Sequence, residues 1–384
     1  MIYLDNCATT KMRKEVIEEM IKSYENDFAN PSSLHRLGMG TEKKIEESRK
    51  TISSYLKVRD KEVFFTSGGT ESNNIAIFSS VEKMKNRGNH IITTKIEHPS
   101  VYNCMKKLEN DGYNVDYLDV DEYGNIDFNQ FKNLINDKTI LVSIIHVNNE
   151  IGVVQDIKKI RSIMDEKDSI ALLHLDGVQS FGKIPYSVKD LGINTLSISS
   201  HKIHGPKGIG ALYVKDGTNL MPHIYGGGQE NGFRSGTENI QGIVGFGRAV
   251  KIINDNFDVE YNHVLKIREY FYNKIKNNIS DIKVNTKIDN TSSPYIINVS
   301  IRNTRGEVLL HYLEDENIYI STSSACSSNG TSRSHVLESI KLTDNEIEGT
   351  IRICFSHETT FDDIDIVVEQ MKKSVKEIRD IMMR

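Results

Sequence analysis

Three stretches of this chain carry side chains whose types and spacing could do chemistry together. In IYISTSSACSSNG (318–330) one thiol, Cys326, stands among six serines and threonines. The stretch is too polar for a core and lacks the charge of an ordinary solvated face. A partly exposed cysteine of this kind is a candidate nucleophile, because the thiolate is the reactive form. In LLHLDGVQS (172–180) an apolar strand ends on Asp176, an unfavourable place for a carboxylate unless it meets a cation. Gln179 lies three residues on. In LSISSHKIHGPKGIGALYV (196–214) Lys202 follows the next strand end, and Lys207 competes with it on spacing alone.

An acid at one strand end and a lysine at the next suggest a pyridoxal phosphate site. The carboxylate would keep the pyridine nitrogen protonated, so that the ring draws electrons, and the lysine would form the Schiff base. A plain Asp–Lys ion pair is the alternative. TSGGTESNN (66–74) runs from a strand through glycines into a helix, where converging N–H groups and the helix N-terminus favour an anion. Ser199 and His201 would add donors to such a phosphate cup. His98, in TKIEHPSV, precedes a helix-opening proline and can stack on a flat ring or exchange protons. Asn149, in HVNNEIGV, follows a buried strand. Arg352, in IRICFS, needs an anion, either a substrate carboxylate or a structural partner. His201 and His204 form an HxxH pair, but no third ligand stands at metal spacing.

The elements that must position these residues alternate. Strand-like runs at 62–67, 90–96, 114–120, 139–147, 171–177, 195–200 and 208–214 are separated by helical segments up to 164. That alternation predicts a parallel α/β sheet with helices on both sides and ligands at the strand ends. The run TILVSIIHV has the continuous apolarity of a strand buried on both faces. A long helix is expected from Asn239 to about Lys276, then strands at 295–301, 318–322 and 351–356, then a helix at about 361–382 capped by Thr359 or Thr360. The net charge of −5 gives no basic footprint for nucleic acid. Four irregularly spaced cysteines form no disulfide framework and fit a reducing cytosol. The start MIYLDNCATT is not a signal peptide, and no apolar run reaches membrane-spanning length.

YLDNCATT, TSGGTESNN, EHPSV, HVNNEIGVVQ, DGVQS, SSHKIHGPKGIGALY, RSGTEN and SSACSS stand in order over nearly the whole chain. Together they resemble the cysteine desulfurases of the NifS/IscS type, fold-type I enzymes related to the class-V aminotransferases. The resemblance implies an α/β PLP-dependent transferase fold. Its large domain (13–257) would hold a mostly parallel seven-stranded sheet between helices. A smaller α+β domain (258–384), joined by the N-terminal segment 1–12, would carry a mobile Cys326 loop. The resemblance selects Lys202 over Lys207 for the Schiff base. It makes His98 the stacking and proton-shuttling ring, Asp176 the partner of the pyridine nitrogen and Gln179 that of the ring hydroxyl. Gly69, Thr70, Ser199, Ser200 and His201 fall on phosphate positions. Thr237 would reach the phosphate of a neighbouring subunit, which implies a homodimer. Asn149, Arg352 and Asn30 would touch substrate.

The implied reaction takes sulfur from L-cysteine, giving L-alanine and a persulfide on Cys326. The sulfur then passes to an acceptor protein, an iron–sulfur scaffold or a tRNA-thiolation relay. Cys326 is also placed to ligate a cluster in transit, and no resident metal is expected. A selenocysteine lyase, or another PLP-dependent lyase or aminotransferase on the same fold, is the alternative. Cys7 departs from the family pattern and reads as a small core residue, with a stray reactive thiol near the site as the alternative, and Cys104 and Cys354 read as structural. The expected setting is cytoplasmic, with no direct contact to nucleic acid or membrane.

Overall fold

The structure, a computed structural model, describes residues 1–322 and 333–382. Cys326 and the loop expected to carry it lie outside the described residues.

Seven strands build the main sheet: β2 (Val63–Thr66), β3 (His90–Thr94), β4 (Asn114–Leu118), β5 (Thr139–Ile145), β6 (Leu172–Asp176), β7 (Thr195–Ser199) and β8 (Gly210–Val214). Strand β1 (Ile2–Tyr3) precedes them outside this sheet. Their order is β2-β8-β7-β6-β5-β3-β4, and only β8 runs against the rest. The sheet is therefore mostly parallel, as the alternation of elements predicts. Every residue of β5 is buried, which accounts for its unbroken apolar run. Helices Gly69–Met84, Pro99–Asn110 and Ile157–Glu166 connect the strands. Because the strands are parallel, Thr66, Thr94, Ile145, Asp176 and Ser199 all finish at one edge. Gly210 closes that edge: a Cβ there would come within 2.8 Å of Gly68 Cα and 2.6 Å of the Ile198 carbonyl oxygen.

A second sheet holds β9 (Ile282–Val284), β10 (Ile296–Ile301) and β12 (Thr350–Cys354), all antiparallel, in the order β12-β10-β9. Strand β9 was not expected; Ile-Lys-Val at a half-buried edge is too short to show a period. The expected strand 318–322 divides its pairing. Ile318–Tyr319 (β11) runs parallel to β1, and Ser321 then bonds to Arg352 through both backbone groups at 3.2 and 2.7 Å.

Helix Ile240–Asn278 starts where the Asn239 side chain accepts a hydrogen bond from the Gly242 amide, an N-cap. Its first half (Ile240 to Ile253) packs into the core of the large sheet, and Val264, Ile267, Phe271 and Ile275 pack into the core of the small one. Leu4 and Cys7 belong to that second core, so the N-terminal segment is held against the small sheet. The last helix, Phe361–Met382, opens with a reciprocal cap: Thr360 N donates to Asp363 Oδ2 at 2.9 Å, and Asp363 N donates to Thr360 Oγ1 at 3.1 Å. Among the described residues no helix is long and apolar enough to cross a membrane.

Candidate active site

The edge where the parallel strands finish opens into a cavity of about 330 Å³. Gly69, Thr70, His98, Asn149, Asp176, Gln179, Ser199, His201, Lys202 and Arg352 line it, joined by Cys7, Ala8, Ser100, Ile145 and Val178. Ten of the residues picked out in the sequence thus meet at one place.

Asp176 ends β6 and is 3% exposed. Its Oδ1 accepts from the Val178 amide at 3.0 Å, and its Oδ2 from Asn73 Nδ2 at 2.8 Å. These two bonds fix the carboxylate at the cavity wall. Lys202 Nζ donates to the carbonyls of Cys7 (2.5 Å) and Ala8 (2.8 Å). Gln179 is fixed at both ends of its amide, Nε2 donating to the Cys7 carbonyl at 2.9 Å and Oε1 accepting from the buried Lys183 at 3.0 Å.

His98 accepts the Ser100 amide at Nδ1 (3.1 Å) and faces Ser100 Oγ at 2.8 Å. An accepting Nδ1 leaves the proton of the neutral ring on Nε2. Burial lowers the His98 pKa; Asp176 opposes this, and Lys202 and His335 reinforce it. The ring is therefore uncharged near neutral pH. His201 is also neutral, brought down to about 4 by burial and then by Lys202, Lys207 and Lys183.

Behind these groups lies a chain that the sequence reading missed. Asn73, fully buried, donates from Nδ2 to both Asp176 Oδ2 and Ser100 Oγ, each at 2.8 Å. Its Oδ1 faces His174 Nε2 at 3.1 Å, and His174 Nδ1 faces Thr195 Oγ1 at 2.9 Å. Burial takes the His174 pKa down to about 3, so the ring is neutral. Its Nε2–H then donates to Asn73 and its Nδ1 accepts from Thr195. Asn73 thereby orients Asp176 and, through Ser100, His98. The only signal in the sequence was an asparagine one turn into the helix that follows the glycines. Asn73→Ala is expected to lower kcat about tenfold or more, the scale of losing a hydrogen bond to a charged group. Steady-state rates at saturating cofactor, with a melting curve on the same preparation, check this.

The glycine loop fits an anion. Gly68 (φ 153°) precedes helix Gly69–Met84, and a Cβ on Gly69 would come within 2.6 Å of Val178 Cγ2. The buried Ser199 Oγ has no hydrogen-bond partner among the described residues. A helix N-terminus, a glycine cradle and an unpartnered hydroxyl together suit a phosphate.

Arg352, 2% exposed, donates from Nη1 to the Asn149 carbonyl at 3.0 Å and from Nη2 to Asp5 Oδ1 at 2.9 Å. The adjacent Asn148 shapes the loop, its Oδ1 accepting the amides of Glu150 and Ile151 at 2.9 Å each.

Three of the expected site residues lie away from this cavity within the chain. Ser200 does not line the cavity: the chain turns into a short 3₁₀ helix there, and the Ser200 hydroxyl faces the Gly205 backbone. Asn30 is exposed and spends its Oδ1 on the Ser32 amide at 2.9 Å, an Asx turn. Thr237 lines a separate cavity of about 120 Å³ with Ser67, Gly208 and Arg234. Lys207 is exposed and lines neither. His204 turns its Nδ1 to the Lys11 carbonyl at 2.9 Å.

The model of the family "Aminotransferase class-V" matches residues 2–367. The cysteine desulfurase IscS of Dictyoglomus turgidum is 40% identical over 380 residues, spanning 99% of this chain and 96% of that protein. A solved NifS-like protein superposes with a TM-score of 0.92 at 35% identity, covering 98% of this chain and 99% of its own. A structure of SspA in complex with cysteine gives 0.80 at 35% identity, covering 94% and 100%.

Proposed function

The chain belongs to the aminotransferase class-V family, and from that premise we propose that it is a pyridoxal-phosphate-dependent cysteine desulfurase. The observation that carries the proposal is one cavity walled by the Asp176 carboxylate, the Lys202 amine and the buried Arg352 guanidinium. Full-length likeness to proteins named cysteine desulfurase supports the choice of reaction.

Bound pyridoxal phosphate supplies an electron sink for the charge left when the substrate loses its α-proton. Lys202 would be the amine that holds the cofactor, and Asp176 would keep a proton at its ring nitrogen. Gln179 would partner the ring hydroxyl, and Gly69, Thr70, Ser199 and His201 would hold the phosphate. His98, whose pKa burial lowers, would stack on the ring and exchange protons with the reacting centre. Arg352, steadied by Asp5 and by the Asn149 carbonyl, takes the carboxylate of L-cysteine. The Cys326 thiolate attacks the substrate sulfur. The new S–S bond forms as the Cβ–S bond breaks, and its electron pair stays with carbon, which takes a proton. The balance is L-cysteine plus Cys326 thiol to L-alanine plus Cys326 persulfide.

Thr237 would complete the phosphate site of a second copy, making the enzyme a homodimer. The division at 257/258 falls within the long helix whose two halves serve two cores. Delivery of the sulfur to an iron–sulfur scaffold or a tRNA-thiolation relay, in the cytoplasm, completes the reading.

The test is alanine formation from L-cysteine by the cofactor-loaded enzyme with a reductant; no alanine overturns the reading. Arg352→Gln is expected to raise KM for L-cysteine about 10–100-fold, the scale of a lost charge-assisted pair. A KM unchanged from wild type would remove Arg352 from carboxylate binding.

A further inference from the structure

Two cysteines that the reaction does not use share one core beside the site. Cys354 is the last residue of β12, two positions beyond Arg352. Its amide donates to the Leu4 carbonyl at 2.7 Å, and its carbonyl accepts Asn6 Nδ2 at 2.8 Å. The Asp5–Cys354 bridge runs the N-terminal segment alongside β12. The chain then turns, Ala8 N donating to the Asp5 carbonyl at 3.0 Å, and this turn brings Cys7 back over the strand. Both side chains are buried in the same hydrophobic core, at 2% and 0% exposure. Cys7 also lines the active-site cavity, so a molecule small enough to enter that cavity reaches it.

We propose that Cys7 and Cys354 are a modification site, closing to a reversible intramolecular disulfide when a peroxide enters the active-site cavity.

Burial by itself would raise the Cys7 thiol. The Cys354 thiol and the charges of Lys183, Arg352 and Lys202 outweigh it and bring Cys7 below the usual thiol range, while burial and Cys7 push Cys354 up. Cys7 is therefore the attacking thiolate. Its sulfur attacks one peroxide oxygen, the O–O bond breaks, and the leaving hydroxide takes a proton to become water. The resulting sulfenic acid is attacked by Cys354 sulfur, which loses its proton as the hydroxyl leaves as a second water. Each thiol gives up one electron, and the peroxide takes two. Cys104 is a built-in control. It sits on helix Pro99–Asn110 in a different core, donates to the Ser100 carbonyl at 3.1 Å, and burial raises it to about 11.

The bond would tie the segment whose carbonyls hold Lys202 to the strand that carries Arg352, so oxidation acts on both walls of the site at once. The inference does not depend on the desulfurase reading, because its test counts thiols and not turnover. The holoenzyme carrying Cys326→Ser, which keeps Cys7, Cys104 and Cys354 of the four cysteines, is treated with hydrogen peroxide. It is then denatured, titrated for thiols and mapped as peptides without reductant. The expected result is loss of two of its three thiols, a linked Cys7–Cys354 peptide pair lighter by two hydrogens, and full recovery with dithiothreitol. Cys7→Ser and Cys354→Ala, each added to that background, are expected to abolish the linked pair. Three surviving thiols would overturn the proposal. So would Cys7 recovered as a sulfinic acid beside free Cys354, or a link that runs through Cys104 or between subunits.

Discussion

Lys202→Ala is expected to abolish alanine formation, with a fall of roughly 10³–10⁴-fold or more, the range seen when a group that takes part in bond making is removed. Lys202 is half-buried at the cavity wall, and its Nζ donates to the Cys7 and Ala8 carbonyls. No other lysine lines the cavity among the described residues. Lys183 is close, but it is committed to Gln179 Oε1 behind the wall. A variant without Lys202 therefore has no amine to hold the cofactor or to carry protons at the substrate carbon. The fold should survive, since the Ala8 carbonyl is at an exposed position and the buried Cys7 carbonyl still accepts from Gln179 Nε2. The measurement pairs alanine assays with the visible absorbance of the bound cofactor. Both should be lost in Lys202→Ala, while circular dichroism stays unchanged. Lys207→Ala, at an exposed position, is the control and should retain both. Appreciable turnover by Lys202→Ala would show that the amine at the Asp176 wall is not the reactive one.

Much of this site was legible because its chemistry coincides with strand ends. A carboxylate closing an apolar strand, as Asp176 does, is conspicuous against its neighbours, and the Gly-Gly-Thr run before a helix carries its own backbone logic. The unbroken apolarity of 139–147 likewise marked a strand buried within the sheet. Three kinds of information were absent. Alternation along a strand is lost at its end, so Ser199 and Ser200 could not be told apart; the 3₁₀ turn decides that only Ser199 faces the cavity. Networks assembled across elements leave no local pattern, and Asn73, Ser100, His174 and Thr195 come from two helices and two strands. Pairings between distant segments are equally silent. Cys7 was visible as a departure from the family pattern, but nothing near it in the chain announces Cys354. Asn30 and Thr237 illustrate a further limit. Their assignments came from resemblance, and a single chain places neither at its own cavity.

Cys326→Ala is expected to reduce alanine formation by roughly 10³-fold or more, as for other nucleophile removals, while leaving the colour of the bound cofactor intact. That combination separates it from Lys202→Ala, which should lose both. The described residues on either side of segment 323–332 are anchored beside the cavity. On the near side Ser321 exchanges both backbone hydrogen bonds with Arg352, which lines the cavity. On the far side Ser334 Oγ meets Glu150 Oε2 at 2.6 Å, one residue from Asn149, and His335 Nε2 faces the Glu97 carbonyl at 2.9 Å, one residue from His98. Both ends therefore start from residues next to the cavity. Cys326 is four residues beyond Thr322 in sequence, a tether whose extended reach is at most about 14 Å; on the proposed reading that reach would bring its thiol within range of a substrate held by Arg352. Arg352 would fix the carboxylate of L-cysteine and so aim the substrate sulfur, leaving the attacking sulfur to come from this tether. If Cys326→Ala made alanine as fast as wild type, the sulfur would be leaving without a protein thiol, and the enzyme would be a lyase on the same fold. If the variant bound cofactor and L-cysteine normally but released almost no alanine, the step that fails is sulfur abstraction, and Cys326 performs it.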